Sequence, residues 1–214
     1  TEILGLKCYP SVLAVPEPVD LAIIAIPAKL VPEAVKECAQ KKVKGVIIVS
    51  AGFAELNEEG KAAQEKISEL LMKAKIPMTG PNCLGIVMPR NNLNASFAPS
   101  MPPSGSIAFI SQSGALADSV IDWAIQARYG FSAIVSYGNK QMLDCYDFME
   151  YLANDEATKA IALYLEGVND GKEFFDTLKA VVAIKPVVVL KGGKTASGMR
   201  AATTHTASLA GNKE

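Results

Sequence analysis

Apolar positions along the chain follow two alternating rhythms. Val19-Asp-Leu-Ala-Ile-Ile-Ala-Ile26 is a nearly continuous apolar run stopped by Pro27, the pattern of a parallel strand buried on both faces. Val31, Val35, Cys38 and Ala39 then recur at helical spacing, with Pro32 tolerable only in the first turn. Residues 45–50 read as a second strand, and from Asn57 onward Ala63, Ile67, Leu70, Leu71 and Ala74 form one helical stripe. Residues 75–79 lead into Gly80-Pro-Asn-Cys-Leu-Gly85 and a short apolar stretch ending at Met88, read as the third strand of the same unit. Strands alternating with helices predict a doubly wound unit with right-handed crossovers.

The rhythm breaks between Arg90 and Pro103, where asparagines and three prolines replace any apolar period, and a domain linker is expected there. It then resumes. Strands are predicted at 106–110, 131–136, 159–165 and 186–190. A helix bearing Ala117, Val120, Ile121 and Ala124 follows the first of these, and Asp144 caps a second helix running through Asn154, with Asp147 in its first turn. Asp170 and Glu173 are spaced like a capping box for a third helix reaching Val182. The expected fold class is α/β, with two doubly wound, mostly parallel-sheet domains at residues 1–100 and 104–214.

Composition narrows the function. With 214 residues, half of them apolar, the chain can bury a sizeable core. Lys plus Arg is 21 and Asp plus Glu is 22, a balance that gives no electrostatic reason to expect nucleic acid or an anionic membrane as partner. No apolar run reaches the roughly 18 residues of a membrane span, and Thr1-Glu-Ile-Leu-Gly5 lacks the stages of a secretory signal. Four scattered cysteines without a CxxC read as free thiols in a reducing compartment, so a cytoplasmic protein is expected. A single histidine excludes a His-rich metal centre, and no metal site is expected in the chain.

In such folds ligands collect beyond the carboxyl ends of the strands. Ser111-Gln-Ser-Gly114 lies between a strand end and a helix start, where it is either a phosphate cradle or an ordinary serine cap at Ser113. In Gly80-Pro-Asn-Cys-Leu-Gly85 the glycines permit close backbone approach to a ligand, Pro81 stiffens the turn, and Asn82 could bond a ligand or its own loop. Cys83 has no histidine to serve as its base and reads as a packed or ligand-lining thiol. His205 is the single histidine, set between threonines beside a helix start that follows Thr206. It is either a nucleophile that carries a phosphoryl group or a surface histidine of a loop. A nucleophilic imidazole needs its second nitrogen held, and Glu166, directly after a buried strand, is the candidate carboxylate. The alternative for Glu166 is a solvated loop acid. Neither Ser111–Gly114 nor Gly192-Gly-Lys-Thr195 has Walker A spacing, and no GxGxxG with a downstream acid supports a nicotinamide enzyme.

Taken in order, Gly80-Pro-Asn-Cys-Leu-Gly85, Ile110-Ser-Gln-Ser-Gly-Ala-Leu116, Leu165-Glu-Gly-Val168 and Thr203-Thr-His-Thr-Ala-Ser-Leu-Ala-Gly211 resemble the nucleoside-diphosphate-forming acyl-CoA synthetases. This family is related to succinyl-CoA synthetase, and the branch most similar here is the ADP-forming acetate–CoA ligases. The resemblance covers essentially the entire chain. Succinyl-CoA synthetases usually have proline where Leu84 stands and Gly-His-Ala-Gly where this chain has Thr-His-Thr-Ala.

The resemblance implies a Rossmann-like CoA-binding domain followed by a flavodoxin-like ligase domain. Coenzyme A contacts would fall on the loop after Ile26 (Pro27 and Ala28) and on Pro81, Asn82 and Cys83. His205 would be the phosphohistidine, Glu166 its partner, and Ser111, Ser113 and Gly114 the phosphate-holding turn. Acyl-CoA, phosphate and ADP would be interconverted with a small carboxylic acid, CoA and ATP through an acyl phosphate. ADP or ATP and Mg2+ would sit on an ATP-grasp subunit or domain, in an oligomer when complete. The missing first Gly-rich turn and the stop at Glu214 imply a chain truncated at both ends. A non-catalytic CoA-binding module of a synthetase-like protein acetyltransferase is the alternative; the presence of His205 and Glu166 together argues against it.

Overall fold

Residues 2–193 are described by the structure, a computed structural model, and His205 lies outside the described residues. An antiparallel hairpin of β1 (Glu2–Ile3) and β2 (Leu6–Lys7) comes first. Three parallel strands follow in spatial order: β3 (Leu21–Ile24), β4 (Gly45–Ile48) and β5 (Met78–Thr79). They are connected by α1 (Val31–Lys41) and α2 (Glu58–Ala74). Pro32 sits in the first turn of α1, where its missing N–H costs no helical bond. Asn57 caps α2 by accepting from Gly60 N, and Lys42 and Lys75 end the two helices in the left-handed region. Val31, Val35, Ile48, Phe53, Leu71 and Met78 fill the core of this unit.

The second sheet has six strands in the order β11-β10-β8-β9-β6-β7. These are β6 (Gly85–Met88), β7 (Leu93–Ser96), β8 (Ser104–Ser111), β9 (Phe131–Ser136), β10 (Ala160–Leu165) and β11 (Val187–Lys191). Strands β9, β8, β10 and β11 are mutually parallel, whereas β6 runs antiparallel to both β9 and β7. Three helices connect the parallel strands: α3 (Gly114–Ala127), α4 (Cys145–Asn154) and α5 (Gly171–Val182). Helix α3 buries Ala117, Ile121 and Ala124 in one core, and α4 buries Met149 and Leu152 in another that also holds Val181 of α5. The fold class is as expected, mixed α/β with parallel sheets.

Three sequence expectations change. The run at residues 85–88 does not complete the first sheet; it enters the second one antiparallel, between β9 and β7. The segment expected as a linker forms β7, whose Ala95 is fully buried, so the six-stranded sheet crosses the division drawn at residue 100. Strand β3 is not buried on both faces. It is a sheet edge, with Leu21 38% and Ile23 46% exposed. Four apolar residues in a row read alike whether a strand sits at the centre or the rim, because periodicity carries no information about neighbours.

All four cysteines are free. Among the described residues no helix is long and apolar enough to cross a membrane.

Candidate functional site

The parallel part of the large sheet reverses winding between β8 and β10. Chain order runs outward from β8 to β9 on one side and to β10 and β11 on the other. A crevice opens beyond the carboxyl ends of strands at such a switch point. Residues 111–114 follow β8 there, and residues 166–169 follow β10.

The serine turn is tightly self-bonded. Ser113 is the N-cap of α3, its Oγ accepting from Leu116 N at 3.2 Å, and the fully buried Ser111 donates its hydroxyl to Ser113 O at 2.8 Å. The first-turn N–H groups of Gly114 and Ala115 are left without an intrahelical partner, and both residues border an open pocket. An anion there would meet backbone donors and the positive end of α3.

Glu166 is 2% exposed, so the sequence alternative of a solvated loop acid does not describe it. Its turn is held from three neighbours. Gln112 Oε1 accepts from Glu166 N at 2.9 Å and Gly167 N at 3.1 Å. Lys191 Nζ donates to Glu166 O at 3.0 Å. Asp144, fully buried, accepts from Asn169 N through Oδ2 at 2.8 Å while its Oδ1 accepts from Cys145 N. Asp144 caps α4 as expected, and with Asp147 it forms a reciprocal capping box there. At α5, where the spacing suggests such a box, only its first half is present: Asp170 accepts from Glu173 N. Burial pushes the Lys140 amine down, an effect opposed by Asp144 at 4.0 Å. Burial raises the Tyr164 hydroxyl, and Glu166 adds to this through its charge and a hydrogen bond.

The Gly80–Cys83 turn leaves β5 and ends against the second sheet. Gly80 has φ +97°, and a Cβ there would meet Ile48 O and Cys83 Sγ. Asn82 has φ +56° and its N–H donates to Ser50 O at 3.0 Å. Cys83 is 3% exposed and donates its S–H to Ile48 O, and burial pushes its thiol up to about 12. A packed thiol, rather than a nucleophile, is what this environment makes.

A second loop, after β9, locks against that turn. Gly138, at φ +57°, lies so close that a Cβ would strike Pro81 O and Asn82 O. Asn139 N donates to Pro81 O at 2.9 Å, and its side chain accepts from Asn82 Nδ2 at 3.2 Å. Its Nδ2 donates to Glu55 Oε2 at 2.6 Å and Gln64 Oε1 at 2.8 Å. Gln64 continues to Gln141, and Gln141 to Ser68. One polar seam therefore joins α2, the Gly80 turn and the β9 loop.

A pocket of about 400 Å³ lies at this junction, lined among others by Asn82, Cys83, Ser113, Gly114, Asn139 and Asp118. The structure thus brings Asn82 and Cys83 together with Ser113 and Gly114. Ser111 and Pro81 are buried outside the lining, and Glu166 does not line the pocket; its backbone N–H bonds Gln112, which does. Pro27, exposed, and Ala28 stand at the same end of the first sheet, with Ala28 packed near Gly52, but they do not line this pocket. Sequence reading missed Gly138, Asn139 and Asp118. A Gly-Asn pair at the carboxyl end of a parallel strand was the available signal for the first two. Asp118, whose Oδ1 is buried without a partner among the described residues, sits mid-helix and gives no such signal.

Comparison with known proteins adds a second line of observation. Residues 104–214 match the family described as succinyl-CoA ligase like flavodoxin domain, and residues 1–89 match a CoA binding domain. The chain is 51% identical over 213 residues to acetate–CoA ligase [ADP-forming] I of Archaeoglobus fulgidus, covering 100% of this chain and 31% of that protein. It is 48% identical to the alpha subunit of acetate–CoA ligase [ADP-forming] II of Pyrococcus furiosus, covering 99% of this chain and 46% of that subunit. Among solved structures, the dinucleotide-forming acetyl-coenzyme A synthetase 1 of Ca. Korarchaeum cryptofilum, in complex with phosphate and ADP, superposes with a TM-score of 0.92. Its identity is 38%, over 99% of this chain and 46% of that one. The chain spans between about a third and about half the length of these relatives.

Proposed function

We propose, for a chain that belongs to the succinyl-CoA ligase-like flavodoxin-domain family, that it is the CoA-handling and phosphohistidine-bearing part of an ADP-forming acid–CoA ligase. The observation that carries this reading is one junction: the Gly80–Cys83 turn, the start of α3 and the Glu166 turn meet at the carboxyl ends of two sheets. A thioester, a phosphate and a carboxylate partner for an imidazole would have to meet in just such a place.

One side of the pocket suits an anionic ligand, while the Asp118 carboxylate lines another part of it. Its border includes the first-turn N–H groups of α3, and the close approach at Gly138 leaves no room for a side chain beside the Asn82 turn. In the proposed sequence a phosphate oxygen attacks the thioester carbonyl, the C–S bond breaks, and CoA leaves as acyl phosphate forms. The His205 imidazole then attacks phosphorus and the carboxylic acid leaves as its carboxylate. Finally ADP takes the phosphoryl group and the imidazole is regenerated. Glu166 would hold the second imidazole nitrogen and offset the positive charge that develops on the ring. The α3 N-terminus would hold phosphate through backbone N–H groups and the Ser113 hydroxyl, which accepts from Leu116 N and keeps its own O–H as a donor, whereas the Ser111 hydroxyl donates to Ser113 O. Pro27, Ala28, Pro81, Asn82 and Cys83 would frame CoA.

Nucleotide and its Mg2+ would be held by an ATP-grasp subunit or domain, to which this chain contributes His205. Acetate or another small acid is the proposed substrate. The test is intact-mass and phosphopeptide analysis of the complete enzyme incubated with Mg-ATP, beside His205→Asn. Phosphate on His205 that disappears when ADP is added is the expected result. An enzyme that binds nucleotide and never gains a phosphoryl group would sink the reading.

A further inference from the structure

Gln112 stands between the two serines of the phosphate-holding turn, yet its side chain serves a different loop. It is 2% exposed, and its own N–H donates to Tyr164 O at 3.1 Å, extending the β8–β10 ladder by one bond. Its Oε1 receives two convergent backbone donors, Glu166 N at 2.9 Å and Gly167 N at 3.1 Å. These are the first two N–H groups beyond the end of β10, where the chain bends out of the sheet and no neighbouring strand can accept from them. Buried amide donors without an acceptor are costly, so the Glu166 turn keeps this geometry because a side-chain oxygen occupies that spot. Asparagine is one methylene too short to reach across from β8. Glutamate would reach but would set a second carboxylate beside Glu166.

We infer that Gln112 is a positioning residue: by fixing the Glu166–Gly167 peptide to the start of α3, it holds the Glu166 carboxylate and the phosphate-binding helix end in one rigid frame. This inference rests on the reading of Glu166 as the partner of the phosphorylated histidine. Without the clamp the carboxylate and the phosphate site could drift independently. Displacements of that kind reduce transfer rates without weakening binding of a ligand held elsewhere. Asp144 at Asn169 N and Lys191 at Glu166 O anchor the carbonyl side and the far end of the turn, so they cannot replace the two donors that Gln112 satisfies.

The test uses the complete enzyme and follows the rate of His205 phosphorylation by Mg-ATP in a single turnover, together with CoA affinity by calorimetry. Gln112→Met keeps length and volume and removes both the Oε1 acceptor and the Nε2 donor. It should slow phosphorylation by about tenfold to a hundredfold, with a much smaller change in CoA affinity, since Gln112 also lines the pocket beside Asn82 and Cys83. Gln112→Glu restores an acceptor and adds a negative charge. It should recover part of the rate, because the Glu166 and Gly167 donors regain an acceptor. A Gln112→Met enzyme with the wild-type rate would overturn the inference. So would a Gln112→Glu enzyme as slow as Gln112→Met. Glu166→Gln separates the two levels of the argument. If it abolishes phosphorylation while Gln112→Met keeps the wild-type rate, only the positioning role fails. If Glu166→Gln phosphorylates normally, the reading of Glu166 itself fails.

Discussion

At the scale of single residues, Cys83 shows how a motif position can be decided by its surroundings. Sequence alone left it between packing and ligand lining. The structure gives it a carbonyl partner at 3.3 Å and raises its thiol from the ordinary 9.0 to about 12, chiefly through burial. The raised value carries a stability consequence. Below pH about 9 the thiol is neutral in folded and unfolded chains alike, and its contribution is fully present. Between about 9 and about 12 the unfolded chain releases the proton while the folded chain retains it, so stability falls as pH rises. The loss approaches ~1.4 kcal/mol per pH unit within that window. Denaturant titrations between pH 9 and 11 should show a steeper decline for the natural chain than for Cys83→Ser; equal slopes would contradict the assignment. Ser111 and Ser113 read equally well as phosphate ligands or as a cap; in the structure Ser113 caps α3 and Ser111 donates to Ser113 O, and a capping hydroxyl that accepts can still donate to a ligand.

At the scale of elements, local chemistry was highly legible. Asp144 before Cys145, Asn57 before Glu58 and Ser113 before Gly114 start three helices where the capping residues say they should. Asp144, however, does more than its spacing reveals: it also accepts from Asn169 N and faces Lys140 at 4.0 Å. Asp144→Ala therefore removes a cap, orphans a donor in the Glu166 turn and leaves a largely buried ammonium without its counter-charge. A loss of at least about 3 kcal/mol is expected in chemical denaturation. Adding Lys140→Met to Asp144→Ala should recover part of that loss, because the uncompensated charge is then gone too. A fully additive double variant would show that the pair does not interact. Pairing between elements was not legible. The stretch Gly85–Met88 is apolar and short, and nothing within it specifies parallel pairing with β5 rather than antiparallel pairing with β9. Asparagines and prolines after Arg90 resemble a tether, while the real signal, a buried Ala95 opposite Ile86, depends on a partner strand that local periodicity cannot identify.

At the scale of the molecule, the two sheets are stitched rather than tethered. Backbone bonds run from Asn139, Gln141 and Leu143 to Pro81, Gly80 and Met78, and Asn139 adds side-chain bonds to Glu55 and Gln64. Both cores should consequently melt in one cooperative transition. Asn139→Ala deletes its own side-chain bonds in the seam, leaves those of Gln141 to Gln64 and Ser68, and should cost about 2 kcal/mol, broadening the transition or dividing it in two. Calorimetry checks this, and two resolved transitions in the natural chain would refute it. Strand β6 carries a further consequence. The polypeptide leaves the first sheet at Thr79, forms the proposed CoA turn, and enters the interior of the second sheet within six residues, at Gly85. A genetic exchange that cut the coding sequence here would leave one product without the inner strand of its sheet and the other with a strand that has nowhere to pair. Recombination can trade what lies outside this crossing, but the two halves joined by it are inherited together or lost together.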